Sequence, residues 1–398
     1  MTKFISIVLG GDMNSYAVAR AFYEKYGIKT IILGKFPIYP TQNSKITECY
    51  YNKDILDINV LLDELKKIDQ KYPDYKKIVL SNTDYYVEET IRNKKKIENL
   101  SDNFIVPTIE EKLFDQLFNK NSFYKLCEEY NIPHPKTIII DLNKDKIDNL
   151  KIPFSYPIFL KPSNTDKYTR IEIVNRYKGY KAENLEDVKK FLNDVKNSGY
   201  NDKFIIQEYI NANDDEMFVF TFYTNQKHQV QVATAGKILM HDRTPELIGN
   251  YNAITNYYDE ELSIQLKDFL EKIKFKGICH FDVLYDHERK QYMVLEINIR
   301  QGRSNLYTLA SGVNLAEYLV DDYILNKNHK FTIAKKELLV SMISQRKLSK
   351  ILEKKELNKI KNFYRFTLAS YDKSIKRTLH QIKSDKRLIN AYLKYKEN

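Results

Sequence analysis

Three oxygen-bearing side chains fall on two neighbouring apolar runs late in the chain. Asp282 lies in the run Phe281–Tyr285, and Glu296 and Asn298 lie in and directly after the run Tyr292–Ile297. The short polar stretch between the runs predicts a β-hairpin, and the two-residue period of a strand places Glu296 and Asn298 on one face, near Asp282. Such oxygens are ligands that Mg²⁺ prefers. The alternative is a solvated face on an edge hairpin, but acids buried among Val, Leu and Ile without a cation are costly, which favours a metal site.

Two lysines and one strand that turns polar at its end add to these three side chains. Lys161 ends an apolar strand and is followed by Pro and Ser, while Lys120 begins a helix that stops at an Asn-Ile-Pro turn. A further apolar strand, Phe204–Ile210, turns polar at its end and is followed by acidic residues at 214–216. Each signal is weak alone, because a Lys at a strand end is often only the point where the chain reaches solvent.

The elements that must position these residues fall into two regions. The first alternates strands and helices, beginning with the strand Phe4–Leu9, a Gly10-Gly11 turn and a helix that stops at Gly27, and this predicts a parallel α/β sheet. Ligands bind at the carboxyl ends of such strands, where Asp12 and Asn14 lie, although both are also turn-forming residues. The spaced three-glycine fingerprint of dinucleotide folds is missing.

The second region is richer in strands and predicts an α+β arrangement. Two short helices are expected at 110–131, and further helices at 184–198, 260–274 and 313–325. The strands are expected at 136–140, 156–160, 171–174, 204–209, 217–223, 229–235, 278–284 and 292–297.

The composition is that of a globular protein, with 43% hydrophobic and 29% charged residues in a chain of 398, enough for two or three domains. The three cysteines are far apart and predict neither a disulfide framework nor a zinc site. The first apolar run is too short for a membrane span and has no cleavage pattern, so we expect a cytoplasmic location.

The positive charge is concentrated at the end of the chain. Residues 331–398 contain 18 Lys and Arg and 6 Asp and Glu, a net of +12, whereas residues 1–330 have a net of −1. One interpretation is a solvated helical segment, and the other is a surface for an anionic partner such as a nucleotide-linked substrate, membrane phosphates or nucleic acid. Apolar residues recur there at helical spacing, so we expect the segment to pack on the body of the protein.

In order and spacing, these residues resemble the motifs of the ATP-grasp superfamily of carboxylate–amine ligases. The resemblance implies ATP and two Mg²⁺ ions as cofactors. It implies that Lys120 and Lys161 contact the phosphates of ATP. The strand that links the two lobes, Gln207, Glu208, Tyr209 and Ile210, contacts the adenine in such enzymes, and an acid binds the ribose, here Glu216 or alternatively Asp214. It implies metal binding by Asp282, Glu296 and Asn298, and a role in phosphoryl or substrate stabilisation for Arg300.

The same resemblance implies a domain organisation. An N-terminal α/β domain is expected at 1–109, an ATP-grasp domain at 110–330 with a small lobe at about 135–212, and a basic helical segment at 331–398. The sequence departs from the family at the loop 163–170, which contains no glycine where members have a glycine- and serine-rich lid. Lys167, Thr169 and Arg170 could grip phosphate with their side chains instead.

The opening residues 8–27 look like the start of D-aspartate ligases of cell-wall cross-bridge assembly, which join D-aspartate to a lysine amine of a peptidoglycan precursor. This implies activation of a small amino acid as an acyl phosphate and its transfer to an amine. Arg300 and Lys237 are candidates to hold the acyl-phosphate oxygens. Lys237 is expected on a Gly-Lys-Ile turn, and the alternative is that it is only a turn residue. Arg303 and Ser304 could bind the amino acid carboxylate or cap a helix.

Three alternatives stay open at this point. The first is another ATP-grasp amino acid or dipeptide ligase, since specificity pockets cannot be predicted from motifs. The second is an anionic-polymer-binding protein that uses the basic segment, against which the near-neutral first 330 residues argue. The third is a non-catalytic ATP-binding protein, against which the complete set of Asp282, Glu296 and Asn298 argues. A nucleotide-linked cell-wall precursor is the expected acceptor, nucleic acid is not expected, and a homodimer is left open.

Overall fold

The computed structural model describes residues 2–163, 167–168, 171, 179–212, 216–243, 250–352, 362–365 and 368–394. Its first part is a five-stranded parallel sheet with strand order β3-β2-β1-β4-β5. The strands are β1 (Phe4–Leu9), β2 (Thr30–Gly34), β3 (Thr47–Tyr51), β4 (Lys76–Ser81) and β5 (Phe104–Ile105). β1 is central and buried, which explains its almost unbroken apolar run.

Helices complete this α/β unit. They are α1 (Met13–Tyr26), α2 (Ile58–Lys71), α3 (Asp84–Arg92) and α4 (Lys94–Glu98). Asp12 caps α1, because its side chain accepts a hydrogen bond from the backbone N–H of Ser15 at 3.1 Å. Gly27 ends the helix with φ of 67°, a left-handed conformation that glycine adopts without strain.

A small antiparallel sheet follows two short helices. The helices are α5 (Glu111–Phe118) and α6 (Lys120–Glu129), as predicted from the sequence. The sheet has order β6-β9-β7-β8 and is covered by α7 (Leu185–Asn197). Its strands are β6 (Thr137–Asp141), β7 (Ile158–Pro162), β8 (Tyr180–Ala182) and β9 (Lys203–Glu208). The strand expected at 171–174 lies largely outside the described residues.

The largest sheet carries the predicted hairpin at one edge. Its main strands are β10 (Met217–Thr224), β11 (Val230–His241), β12 (Tyr251–Tyr257), β13 (Gly277–Asp286) and β14 (Gln291–Asn298). α8 (Glu260–Lys272) packs on one side of it. α9 (Ser304–Ala310) and α10 (Leu315–Tyr323) lie between it and the parallel sheet, since residues of α10 share a core with α1.

The C-terminal segment differs from the purely helical one that the sequence predicts. It contains β15 (Thr332–Ile333), β16 (Leu339–Ser341), α11 (Gln345–Leu348), β17 (Phe363–Arg365) and α12 (Ile375–Lys394). The three strands join the large sheet, with β16 antiparallel to β12. Strands of two or three residues are too short to show a period, and their partners lie far away in sequence, so no local pattern predicts them.

The segment packs on the body of the protein, as its apolar spacing predicts. Leu388 of α12 belongs to the core that contains β12 and β16. Arg377 pairs with Asp372 at 3.1 Å, and both side chains are at most 1% exposed. Among the described helices, none combines the length and apolar character that crossing a membrane requires.

Candidate active site

A cleft of about 520 Å³ collects residues from all three sheets. Nine of the residues singled out from the sequence line it: Asp12, Asn14, Lys120, Lys161, Asp282, Glu296, Asn298, Arg300 and Arg303. The parallel sheet contributes its carboxyl edge, the small sheet contributes the end of β7, and the large sheet contributes β13 and β14. This places the cleft where ligands bind in parallel α/β folds.

The β13–β14 hairpin brings the predicted metal ligands together. Asp282 pairs directly with Glu296 in the antiparallel register, and directly opposed residues present their side chains on one face. The register shifts just beyond this pair, so that Leu295 is an extra residue, as in a β-bulge, a device that re-aims side chains near sites. Asn298 donates a hydrogen bond from Nδ2 to Asp282 Oδ2 at 3.1 Å. The predicted hairpin and the convergence of its three polar side chains are confirmed.

The electrostatics of this face favour a bound cation. Burial raises the pKa of Asp282 to about 8, and the adjacent Glu296 carboxylate adds to the rise. Lys120, at the start of α6, donates a hydrogen bond to Glu296 and is the ion-pair partner that the structure records for it. The described residues contain no cluster of three or more His, Cys, Asp or Glu side chains, so the Asn298 amide and ligand oxygens would complete a Mg²⁺ shell. The donor set of hard oxygens fits Mg²⁺ on these grounds.

Two arginines follow the hairpin and point different ways. Arg300 donates from Nε to Asp84 Oδ1 at 2.5 Å, and from Nη2 to Asn298 Oδ1 at 3.4 Å. Burial opposes its charge, but Asp84 outweighs that effect and raises the pKa of Arg300. Arg303 donates to the carbonyl of Tyr251 at 3.0 Å and to Asn252 Oδ1 at 3.2 Å, which ties it to β12. Arg300 is therefore directed towards the face that carries Asn298, whereas Arg303 is held against β12.

A curated relative identifies the family. The chain is 36% identical over 335 residues to a D-aspartate ligase from Enterococcus faecium (strain Aus0004), and the match covers 82% of this chain and 78% of the relative. The chain belongs to the D-aspartate ligase family. It is an ATP-dependent carboxylate–amine ligase. No family model matches the sequence.

Solved structures show the fold of this ligase. N5-carboxyaminoimidazole synthetase from Staphylococcus aureus aligns with a TM-score of 0.62 at 14% identity, over 90% of this chain and 87% of that one. The biotin carboxylase domain of 2-oxoglutarate carboxylase from Hydrogenobacter thermophilus aligns with a TM-score of 0.57 at 15% identity, over 81% of this chain and 70% of that one, and it was crystallised with MgADP. The ligase therefore has the ATP-grasp fold that the sequence motifs predict.

The residues predicted to link the lobes make structural contacts in the ligase. Gln207 donates from Nε2 to Tyr124 Oη and to Thr137 Oγ1, both at 2.8 Å. Glu208 accepts two hydrogen bonds from Arg289, at 2.6 and 2.9 Å, which join β9 to the tip of the β13–β14 hairpin. These side chains fasten the small sheet to its neighbours.

Other predicted residues stand apart from the cleft. Among the described residues that line it, Gln207, Glu208, Tyr209, Ile210, Glu216, Lys237 and Ser304 do not occur. Glu216 contacts His287, and its alternative, Asp214, lies outside the described residues. Ser304 is fully buried and accepts a hydrogen bond from Thr221 at 2.9 Å, so its hydroxyl holds α9 on β10.

The turn predicted at Gly236-Lys237-Ile238 is wrong. Lys237 lies inside β11, paired with Phe218 on one side and Thr255 on the other. Gly236 is required for a different reason, because a Cβ there would lie 2.4 Å from Ile254 Cδ1 on the neighbouring strand. A glycine inside a long strand imitates a turn signal in the sequence.

The loop after β7 is only partly described. Ser163 lines the cleft and donates a hydrogen bond to the carbonyl of Lys203 at 2.8 Å. Lys167 lies 2.9 Å from Asp202, and this contact lowers the pKa of that partly buried carboxyl against the effect of burial. Thr169 and Arg170 lie outside the described residues.

Several residues that line the cleft were not predicted from the sequence. Asp84 follows β4 at the same edge at which Asp12 follows β1, and that shared position is a signal that could have found it. His280 stands two residues before Asp282 on β13, so the strand period places it on the same face. Tyr251 and Asn250 carry no comparable signal, because their strand is distant from the motifs in the sequence.

Proposed function

We propose that this ligase activates one carboxylate of D-aspartate with ATP and joins it to an amine on a peptidoglycan precursor. The observation that carries the proposal is the single cleft that holds Asp282, Glu296 and Asn298 together with Lys120, Lys161 and Arg300. The choice of D-aspartate is supported by the 36% identical relative and by the likeness of residues 8–27 to the start of such ligases. The acceptor is proposed from the same relationship, and a nucleotide-linked precursor suits the basic C-terminal segment.

In the proposed reaction, a carboxylate oxygen attacks the γ-phosphorus of ATP, the bond to ADP breaks, and an acyl phosphate forms. The amine nitrogen then attacks the acyl carbon, phosphate leaves, and the nitrogen loses a proton. Bound to Asp282, Glu296 and Asn298, two Mg²⁺ ions would neutralise the charge that keeps a carboxylate away from the phosphates. Lys120 and Lys161 hold phosphate oxygens, and Arg300 steadies charge on the transferred group.

The nucleotide itself is proposed to lie against the linking strand. The backbone of residues 207–210 binds adenine, and Glu216 or Asp214 binds the ribose hydroxyls. Lys237 lies within β11 and does not line the described part of the cleft, which makes Arg300 the stronger candidate to hold the acyl phosphate. These assignments follow the order of the family motifs.

The amino acid is proposed to sit at the edge of the parallel sheet. Asn14 lines the cleft, and its Oδ1 is buried without a hydrogen-bond partner among the described residues, so it is available to an ammonium group. Asp12 shares the same edge but already accepts hydrogen bonds from Ser15, which makes it a helix cap as well as a negative charge. Arg303 faces them and supplies a positive charge for a carboxylate. Ser304 serves only as a structural support for this wall.

The experiment that tests the proposal is hydroxamate formation with ATP, Mg²⁺ and hydroxylamine across a panel of D- and L-amino acids. Hydroxylamine traps an acyl phosphate without the natural amine. We expect a signal with D-aspartate and not with L-aspartate or alanine, followed by transfer to the lysine amine of a peptidoglycan stem peptide. A signal with a different amino acid keeps the reaction and overturns the substrate. ATP hydrolysis without any trapped product from the panel overturns the acyl phosphate route.

A further inference from the structure

The last helix, α12, has a buried face and an exposed apolar face. Arg377, Gln381, Asp385 and Leu388 recur at helical spacing and are buried against the body of the protein. On the other side, four large apolar side chains are more than half exposed: Ile375 (83%), Leu379 (56%), Ile382 (53%) and Leu393 (55%). At roughly 100° per residue these four fall within an arc of about 60°, so they form one stripe rather than scattered positions.

A band of positive charge runs beside this stripe. Lys376, Lys383 and Arg387 are exposed and lie about 100° round the helix from the apolar side chains, while Lys386 falls within the stripe itself. These four make no ion pair with any residue in the part of the chain that the structure describes. The helix has one acid, Asp385, which is buried and accepts two hydrogen bonds from Arg365, so it does not offset the band.

The buried face fixes α12 firmly in place. Asp372, just before the helix, accepts hydrogen bonds from Tyr16 at 2.7 Å and Ser44 at 2.8 Å and pairs with buried Arg377. Gln381 donates to the carbonyl of Met342 at 3.1 Å. The helix is therefore anchored to both the parallel sheet and the large sheet, and it presents the stripe and the basic band in a fixed orientation.

We propose that this face of α12 docks the protein on an anionic lipid bilayer. The apolar stripe enters the boundary between headgroups and acyl chains, and the basic band contacts lipid phosphates, as in amphipathic helices that lie in a membrane surface. The net charge of +12 on residues 331–398, against −1 on the rest, complements an anionic surface.

The same charge argues against two other occupants. A second copy of the chain would bring two segments of net charge +12 together, which repulsion opposes. A nucleic acid would use the basic band but would leave the four apolar side chains in water. Of these three occupants, the anionic bilayer is the one that uses both the stripe and the band. This inference is independent of which amino acid the ligase activates.

The test is cosedimentation of the full chain with vesicles of equimolar phosphatidylglycerol and phosphatidylcholine, compared with phosphatidylcholine alone. We expect binding to the anionic vesicles that weakens as salt is added. The double substitution Leu379→Asn and Ile382→Asn should lower the partition coefficient by at least about tenfold. Lys383→Gln with Lys386→Gln should lower it by roughly 25-fold, about fivefold for each charge.

Matched control variants lie on other helices. Ile264→Asn removes an exposed apolar side chain on α8, and Lys95→Gln with Lys96→Gln removes two exposed charges on α4. Both should bind vesicles like the unaltered chain, and every variant should retain ADP release, since these residues do not line the described part of the cleft.

Four results would overturn the proposal. The first is no binding to the anionic vesicles, and the second is equal binding by the α12 variants. The third is binding to heparin but not to vesicles, with loss only in the lysine variant, which would indicate a polyanion partner. The fourth is a dimer that becomes a monomer when Leu379 and Ile382 are replaced, without vesicle binding, which would show that a second copy covers the stripe.

Discussion

Arg300 donates a hydrogen bond to Asp84 at 2.5 Å, although the two residues are 216 positions apart in the sequence. The contact joins the end of the β13–β14 hairpin to the start of α3 on the parallel sheet. It holds the guanidinium beside Asn298 and so sets the distance between the positive charge and the acids of the cleft. Asp84 is thus a positioning residue for Arg300.

Replacing Asp84 with Asn should weaken the hold on Arg300. Because the Asp84 side chain is 63% exposed, solvent screening limits the contact to about 1 kcal/mol, so we expect kcat to fall by roughly fivefold. KM for ATP should change little, because Asp84 is not one of the residues proposed to bind the phosphates of ATP. Asp84→Glu should restore part of kcat. Asp115→Asn is the matched control, since Asp115 pairs with Arg92 on the surface and should leave kcat within about twofold. An unchanged kcat in the Asp84→Asn variant would contradict the role of Asp84 in positioning Arg300.

Glu296→Gln tests the proposed metal site. The substitution keeps the shape of the side chain and removes the charge that faces Asp282. Turnover should therefore fall by more than about 100-fold, a larger loss than follows from replacing a residue that only orients a metal ligand. The measurement is ADP release as Mg²⁺ is raised, with thermal unfolding to show that the chain still folds.

Glu288→Gln is the control for this prediction, because Glu288 is an exposed acid in the turn of the same hairpin. It should show the Mg²⁺ dependence of the unaltered ligase. Full turnover by Glu296→Gln at the same Mg²⁺ concentration would remove Glu296 from the metal site.

The parts of the site that the sequence predicts are those that depend on local spacing. The strand period and one short turn are enough to place Asp282 beside Glu296, and the structure confirms this. The partner of Arg300 could not be predicted in the same way, because Asp84 reaches it only through the docking of two sheets. Lys237 shows the opposite error, in which a glycine that makes room for Ile254 was interpreted as a turn.

The same physical limit explains the C-terminal segment. Its helical spacing predicts α12 and its packing on the body of the protein. β16 is only three residues long, and it is stabilised by pairing with β12, more than 80 positions earlier. A strand this short, held by a distant partner, shows no alternation of apolar and polar residues. The sequence therefore predicts a more helical segment than the structure contains.

Asp372→Ala should destabilise the ligase more than an ordinary surface substitution. It leaves Arg377 buried without its carboxylate partner and removes the acceptor for Tyr16, and such a change costs roughly 3–5 kcal/mol. The measurement is the free energy of unfolding in urea, with limited proteolysis to detect release of α12. Asp63→Ala, which breaks an exposed pair with Lys66, should cost less than about 0.5 kcal/mol. Equal losses in the two variants would contradict the anchoring role of Asp372.

Glu110 should make stability depend on pH in the acid range. Lys276 and Lys94 each lie 2.8 Å from this carboxylate and lower its pKa to about 2, against the opposing effect of burial. Because the folded pKa lies below the unfolded value of 4.5, the stabilisation is present above that value and is lost as the pH falls towards 2. The carboxylate is 59% exposed, so solvent screening limits its contribution to about 1 kcal/mol or less.

Glu110→Gln isolates this contribution, because the side chain makes no helix-capping hydrogen bond whose loss would complicate the comparison. The free energies of unfolding of the variant and the unaltered ligase should differ at neutral pH and converge as the pH falls to about 2. Urea titrations at both pH values measure the difference. If the difference in unfolding free energy stays constant with pH, Glu110 acts through packing. In that case its ion pairs with Lys94 and Lys276 do not stabilise the folded chain.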